Sequence, residues 1–403
     1  KSIKNTFMKK QLFFIAIASL FTSIASAADL YVRDLGAGGS YSTISAAITA
    51  ANDGDRIIIR PKAGSLPFIE NLTIDKSLSF VSEINFSKYI LQGTITVTPA
   101  AGRVVSIHNL QISGTNAISV SGDTTGGRTT LNVLNSTTAG VNTGVANTTL
   151  NMSGCTGAGI TMTHGRITGN KVTSININTT TIDTNPSTDD IEIIANAFSV
   201  TGIAINLNQK NYNFRVLNNF AGTGYITILA VKNNSTNEII NNVISSTNTS
   251  NANNSIQVSS PAGFTGLVSI LNNVFYYIGP TFGTFYPVTA SGVSCYVYYN
   301  VSNYSVTMPT ITNSGNNNVA SFSLNTSTYT VNGLAANTGS PEDDFADIDL
   351  SRNDRGNFGG SDTWANYWPT TVGNKPQVNY LKTPRRIYTG TTEMNATGSG
   401  YSK

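Results

Sequence analysis

Charge is scarce in this chain. Of its 403 residues, 11% are Asp, Glu, Lys or Arg, and cysteine, histidine and tryptophan occur twice each. Long helices draw on Glu, Lys, Ala and Leu, so a mainly helical architecture is excluded, and a β architecture with polar turns is expected instead. Two cysteines make no disulfide framework. Two cysteines and two histidines scattered along the sequence give little support to a metal site. Long apolar runs are missing too. The longest, residues 12–21, is too short to span a bilayer. It follows Met8-Lys9-Lys10 and precedes Ala25-Ser26-Ala27, the pattern of a secretory signal peptide cut before Ala28. Residues 1–7 read as sequence upstream of the true start. Removing residues 1–27 takes away Lys1, Lys4, Lys9 and Lys10 and no acid, leaving 20 basic residues against 21 acidic. The net charge of +3 therefore belongs to the leader. No basic footprint for nucleic acid remains, and no transmembrane segment is expected after cleavage.

What the chain does have is a repeat. Arg-Ile-Thr-Gly-Asn (166–170), Glu-Ile-Ile-Ala-Asn (192–196), Arg-Val-Leu-Asn-Asn (215–219), Glu-Ile-Ile-Asn-Asn (238–242), Ser-Ile-Leu-Asn-Asn (269–273) and Tyr-Val-Tyr-Tyr-Asn (296–300) end alike. Their last asparagines, Asn170 to Asn300, are spaced by 26, 23, 23, 31 and 27 residues. A period in this range signals a solenoid, a propeller or an array. One β-branched strand and one asparagine per period predicts an all-β, parallel β-helix with one coil per repeat. Further strand-like segments stand at 94–98, 104–107, 110–113, 117–120, 130–134, 149–152 and 160–163, with a weaker continuation at 319–324 and 329–331. At ~4.8 Å per coil, Cys155 and Cys295, six coils apart, lie roughly 29 Å from one another, beyond the ~7 Å reach of a disulfide. Both are expected as separate buried thiols.

Ahead of the repeats, residues 41–51 read as a short amphipathic helix with Ile44, Ala47, Ile48 and Ala51 on one face. Ser42 or Thr43 can cap it, and Asn52-Asp53-Gly54-Asp55 stops it. A strand at 56–61 follows, then Glu70-Asn-Leu-Thr-Ile-Asp75 and Leu78-Ser-Phe-Val81. This succession resembles the N-terminal cap and first coils of pectin-lyase-like right-handed β-helix proteins, whose helix covers the open end of the solenoid. Residues 341–368 concentrate acids in a chain that has few. With Asp347, Asp349, Arg352, Asn353, Asp354, Gly356, Gly359 and Gly360, they resemble the closing segment of secreted bacterial β-helix repeat proteins. Trp364, Tyr367 and Trp368 are expected to plug the final coil. The organisation expected is thus a leader (1–27), a β-helix with its cap at 31–60 (28–340), a closing segment (341–372) and a strand-prone tail (373–403) with two basic residues, Arg385 and Arg386. The tail reads as an extra strand, an attachment signal or the start of a further domain. The resemblance implies the fold and leaves activity open, because this fold hosts lyases, hydrolases, tail-spikes, adhesins and structural proteins.

Residues at equal offset in successive coils stack. Four positions before each repeated asparagine stand Arg166, Glu192, Arg215 and Glu238, alternating in sign. Each precedes an apolar residue, so the charges are expected to face out as an ion-pair ladder on an exposed sheet face. The same stretch holds the candidate acid–base residues His164, Arg166, Asp189, Asp190 and Glu192. Polygalacturonase-type hydrolases combine paired aspartates with Gly-His-Gly and a downstream Arg-x-Lys. Here Asp189-Asp190 follows Thr-His164-Gly-Arg166, so the order is reversed and the set incomplete. Pectate-lyase-type chemistry needs an Arg or Lys base beside acidic calcium ligands, and Arg166 already has Glu192. A solvated charged face is the reading the ladder favours. His108 reads as a turn or surface residue.

The repeated asparagines are expected to bond to one another at the coil corners. Asp347, Asp349, Ser351 and Asn353 alternate as calcium ligands do, yet Arg352 stands where the loop needs glycine and Phe358 where it needs glutamate. A capping turn with Arg352 or Arg355 paired to aspartate is the competing expectation. Late aromatics, Phe275, Tyr276, Tyr277, Phe282, Phe285, Tyr286, Tyr296, Tyr298, Tyr299 and Tyr304, suit either internal stacking or contact with sugar rings. The functional expectation is a secreted, non-enzymatic surface or matrix protein, structural or adhesive, associating end to end through the tail. The alternatives are a polysaccharide lyase or hydrolase acting on acidic polysaccharide, and a carbohydrate-binding module.

Overall fold

The structure is a computed structural model. It describes residues 27–115, 117–122, 127–145, 147–177, 186–246, 253–261, 266–279, 285–367, 377–383 and 390–401. Residues 1–26 of the leader, Phe282, Trp368, Arg385 and Arg386 lie outside the described residues.

Successive coils contribute strands to three long sheets. A thirteen-strand sheet runs from Asp29–Val32 to Asn313–Gly315, a twelve-strand sheet from Phe68–Ile69 to Asn318–Val319, and a ten-strand sheet from Leu72–Ile74 to Phe285–Ser291. Neighbouring strands within each are parallel, as at Arg166↔Glu192, Ala197↔Phe220 and Ile175↔Ile205. This is the right-handed parallel β-helix, with the handedness that parallel crossovers favour. Period-two alternation sends one apolar column inward: Ile107, Val133, Met152, Ile167, Ile193, Val216, Ile239, Ile270 and Val297 pair in sequence, each at most 1% exposed. Each such burial is worth about 1.5–3 kcal/mol. Among the described residues no helix is long and apolar enough to cross a membrane.

The N-terminal end is closed by helix α1 (Ile44–Ala50), which buries Ile44, Ala47 and Ile48. The Thr43 hydroxyl accepts from the Ala46 amide at 3.1 Å. The Glu70 carboxylate accepts from the amides of Ile44 and Ser45 at 2.9 and 2.8 Å, placing negative charge at the helix start. At the other end, the Lys76 amine donates to the carbonyls of Ile48, Thr49 and Ala51. Sequence-distant residues thus satisfy both helix termini.

The C-terminal part departs from expectation. Past Val319, which still pairs with Ser302 in the twelve-strand sheet, no coil is added: Ser323–Asn325 and Thr330–Asn332 pair antiparallel as a hairpin. Residues 339–367 do not plug the far end. They turn back down the outside of the rod. Arg355 bonds Asn318, Gly356 donates its amide to the Asn272 carbonyl, Asn353 bonds Asn241, and the Asn218 amide donates to the carbonyls of Asn357 and Gly359. Trp364 packs edge-on to Phe220 with centroids 6.5 Å apart. A second apolar cluster forms there, outside the coils, from Ile194, Leu217, Ile240, Leu271, Val243, Val274 and Trp364. Its cause is visible in the strands, where Ile194, Leu217, Ile240 and Leu271 stand in register one step past the inward column. Met308 and Ile311 pack on the main core near its last coil instead. The tail forms a hairpin, Gln377–Lys382 with Thr397–Tyr401. It lies against the flank of the same sheet, where the Thr168 hydroxyl donates to the Asn379 carbonyl at 2.9 Å.

Candidate functional site

The candidate cluster sits on the thirteen-strand sheet, on Gly165–Thr168 and Ile191–Ile194. Register alone brings Arg166, Glu192, Arg215 and Glu238 side by side. Arg166 Nε donates to Glu192 Oε2 at 2.6 Å, Arg215 Nη1 to Glu192 Oε1 at 3.1 Å, and Arg215 Nε to Glu238 Oε2 at 3.0 Å. The ladder is present, but the open face expected for it is not. The Glu192 side chain is 3% exposed between its two arginines. The Tyr380 ring from the tail lies 3.2 Å from the Arg166 guanidinium carbon, as a stacked cation–π pair. Asp362 lies 3.8 Å from Arg215. Burial works against the Arg215 charge, but the fields of Glu238, Asp362 and Glu192 together outweigh it and raise its pKa. Burial, followed by the Glu192 charge, raises the Tyr380 phenol above its ordinary value.

His164 is 3% exposed. One ring nitrogen meets the Thr149 hydroxyl at 3.1 Å, the other the Asp189 carbonyl at 3.1 Å, and the ring lies tilted against Tyr212 with centroids 4.4 Å apart. These two contacts brace the ring between Thr149 and the Asp189 backbone. Gly165 beside it has φ +137, and a Cβ there would come 1.9 Å from the Leu150 carbonyl oxygen, so this turn admits glycine alone. Asp189 and Asp190 line a groove of about 270 Å³ with Arg128, Thr149, Asn151 and Arg166. The five candidates are therefore neighbours, but three of them are engaged: His164, Arg166 and Glu192. Sequence reasoning missed Tyr212, Arg128 and Tyr380. Arg128 donates to the Tyr212 hydroxyl at 2.8 Å, a contact 84 residues apart in sequence that no local pattern announces.

The alternating residues of the acidic segment have partners within the segment and on the rod. The Asp347 carboxylate accepts from the amides of Asp354 and Gly360, and Asp349 accepts from Ser351. Asn353 is turned to the rod, donating to Phe345 and accepting from Asn241. Burial raises the Asp347 carboxyl pKa against the pull of its two amide donors. The arginine–aspartate pairs expected here are replaced by other partners: Arg352 donates to the Gly339 carbonyl and Arg355 to Asn318.

The late aromatics mostly meet each other. Tyr277 stacks on Phe285 at 4.9 Å and meets Tyr304 at 5.1 Å, Tyr296 stacks on Tyr298 at 4.1 Å, and Tyr276 lies 5.7 Å from Phe322. Cys155 and Cys295 are separate buried thiols. His108 ends the strand Val104–His108 and is partly exposed.

No protein-family model matches the chain, and no curated protein does. Among solved structures it is similar to pectate lyase Pel9A, with 14% identity over 83% of this chain and 96% of that one, at a TM-score of 0.36. The fold itself stands on the three parallel sheets of this chain.

Proposed function

We propose that this chain is a secreted, non-catalytic β-helix rod with a structural or adhesive role at the cell surface or in extracellular matrix. The observation that carries the reading is the state of Arg166. Its guanidinium is bonded to a buried Glu192 and roofed by Tyr380, so the side chain most suited to proton abstraction serves as a structural tie. His164, 3% exposed beside Tyr212, adds to it. The leader-like N-terminus supports secretion. Association between rods, and contact with carbohydrate, belong to the same reading. One feature favours a second, the lyase or hydrolase: the groove beside Arg128, Asp189 and Asp190.

Incubating residues 28–403 with acidic polysaccharides, with and without calcium, separates the two. Unsaturated ends are followed by absorbance and reducing ends by colorimetry. Neither is expected to rise. Turnover that disappears in Asp190→Ala or Arg166→Ala would replace the rod reading with the enzymatic one.

A further inference from the structure

The outward column of the twelve-strand sheet changes character along the rod. Thr137, Thr156 and Lys171 stand in register, then Ala197, Phe220 and Val243. The apolar part is covered by the hairpin Ser323–Asn325 and Thr330–Asn332 together with Trp364, and the polar part is not. At the junction a pocket of about 330 Å³ remains open. Its floor holds Ala197 and Phe220, its wall Tyr329, and its rim Lys171, Thr223 and Thr326.

The local structure keeps this space open. Gly222 lies under Phe220, where a Cβ would come 2.6 Å from the ring, so a larger residue would displace the floor. Tyr329 has φ +59, a left-handed conformation costly for a bulky residue. It is held there by its carbonyl, which accepts from Asn357 at 2.9 Å, and by its ring, 5.5 Å from both Phe220 and Trp364. The Lys171 amine lies 5.3 Å from the centre of that ring. Aromatic faces beside hydroxyls and one cation form a small, mostly apolar pocket with few convergent polar groups, which is the chemistry of a ligand site. Aromatic rings take the C–H face of a sugar, hydroxyls its hydroxyls, and the amine an anionic substituent.

We propose that this pocket binds a single sugar ring bearing a carboxylate or sulfate, its apolar face on Tyr329 and its anionic group beside Lys171. Among the described residues of the lining, Lys171 and Tyr329 are the ionisable groups and no carboxylate stands with them, so the pocket binds without supplying an acid–base pair. It lies on a different sheet from the Arg166 ladder. The inference rests on the adhesive reading only for its role. Turnover of acidic polysaccharide would sink that reading and leave the pocket standing.

Calorimetric titration of the full chain with glucuronate, glucose 6-sulfate, glucose and benzoate tests it. Both charged sugars are expected to bind, and glucose at least about tenfold more weakly, a difference that Lys171→Ala removes. Thr326→Trp, at an exposed hairpin position, is expected to abolish binding of all sugars with the thermal midpoint unchanged. Binding of one charged sugar and not the other would narrow the anion to carboxylate or sulfate and support the site. Equal binding of glucose, binding of benzoate alone, no binding at millimolar ligand, or charged-sugar binding unaltered in Lys171→Ala would overturn it.

Discussion

In the coil that ends at Leu217, Asn218 takes φ +54 and turns its amide outward, while Asn219 turns inward. The inward residue belongs to a continuous ladder. The backbone amides of Asn170, Asn196, Asn219, Asn242 and Asn273 each donate to the side-chain carbonyl of the next asparagine, at 2.8–3.0 Å. Cys155 and Ser136 extend it backwards: the Cys155 amide donates to Asn170, and the Cys155 sulfur accepts from Ser136 at 3.3 Å. Burial pushes that thiol's pKa up to about 12. The preceding position is left-handed throughout, at Gly154, Gly169, Ala195, Asn218, Asn241, Asn272 and Tyr299. Asparagine suits it because its short amide tolerates that region. Asn170 and Asn196 therefore share the ladder position, and only the corner residue before them changes. Asn219→Ala would leave two buried carbonyls, of Ile193 and Leu217, and two donors of Asn196 without their partner. Such a loss costs about 3 kcal/mol. Asn218→Gly keeps the backbone conformation and loses only two bonds to the flank segment, at about 1 kcal/mol. Urea unfolding of the two variants measures the contrast; equal losses would remove the distinction between the two asparagines.

At the scale of elements, what the sequence reveals depends on contact range. The cap helix, the inward columns and the Arg166–Glu192–Arg215–Glu238 register are legible because period-two alternation and coil spacing are local properties. The docking of residues 339–382 is not. Asn218 meets Gly359 from 141 positions away, and Thr168 meets Asn379 from 211. An acidic, glycine-rich segment reads the same whether it covers an end or a side. The deciding signal was present in the strands: two adjacent apolar residues, Ile193-Ile194, Val216-Leu217, Ile239-Ile240 and Ile270-Leu271, where alternation allows one inside. The second of each pair asks for a cover. Trp364 supplies the largest part of it, 2% exposed against Phe220 and Tyr329. Trp364→Ala would cost the local element about 3–5 kcal/mol. Hydrogen exchange is expected to quicken across residues 339–367 while amides of the coils keep their protection. Uniform loss of protection along the rod would instead make the segment part of the coils' own cooperative unit.

For the whole molecule, stability is a sum of coil-to-coil interfaces, and the interior cluster that supplies it contains no residue of the flank segment. The flank segment adds a second seam, tying Asn318, Asn272, Asn241 and Asn218 along one corner, and the tail hairpin continues it to Arg166. The tail thus lies beside the middle of the rod. Deleting residues 320–403, the antiparallel hairpin with the flank segment and tail, tests this division. The coils retain their core, so the β signal in circular dichroism is expected to persist. The uncovered column of Leu217, Ile240, Leu271, Phe220, Val243, Val274 and Val301 would then face water as one continuous apolar stripe. A patch of that kind drives association, so light scattering should show lateral oligomers, and dye binding should rise. Deleting 373–403 alone leaves that stripe covered by Trp364 and should do neither. A monomeric truncated rod would mean that the stripe needs no cover, and wholesale unfolding would mean that the seam is part of the core. The predicted pair of results, folded coils that now stick together, requires both that the solenoid stand alone and that its own C-terminal segment keep one flank out of reach of other chains.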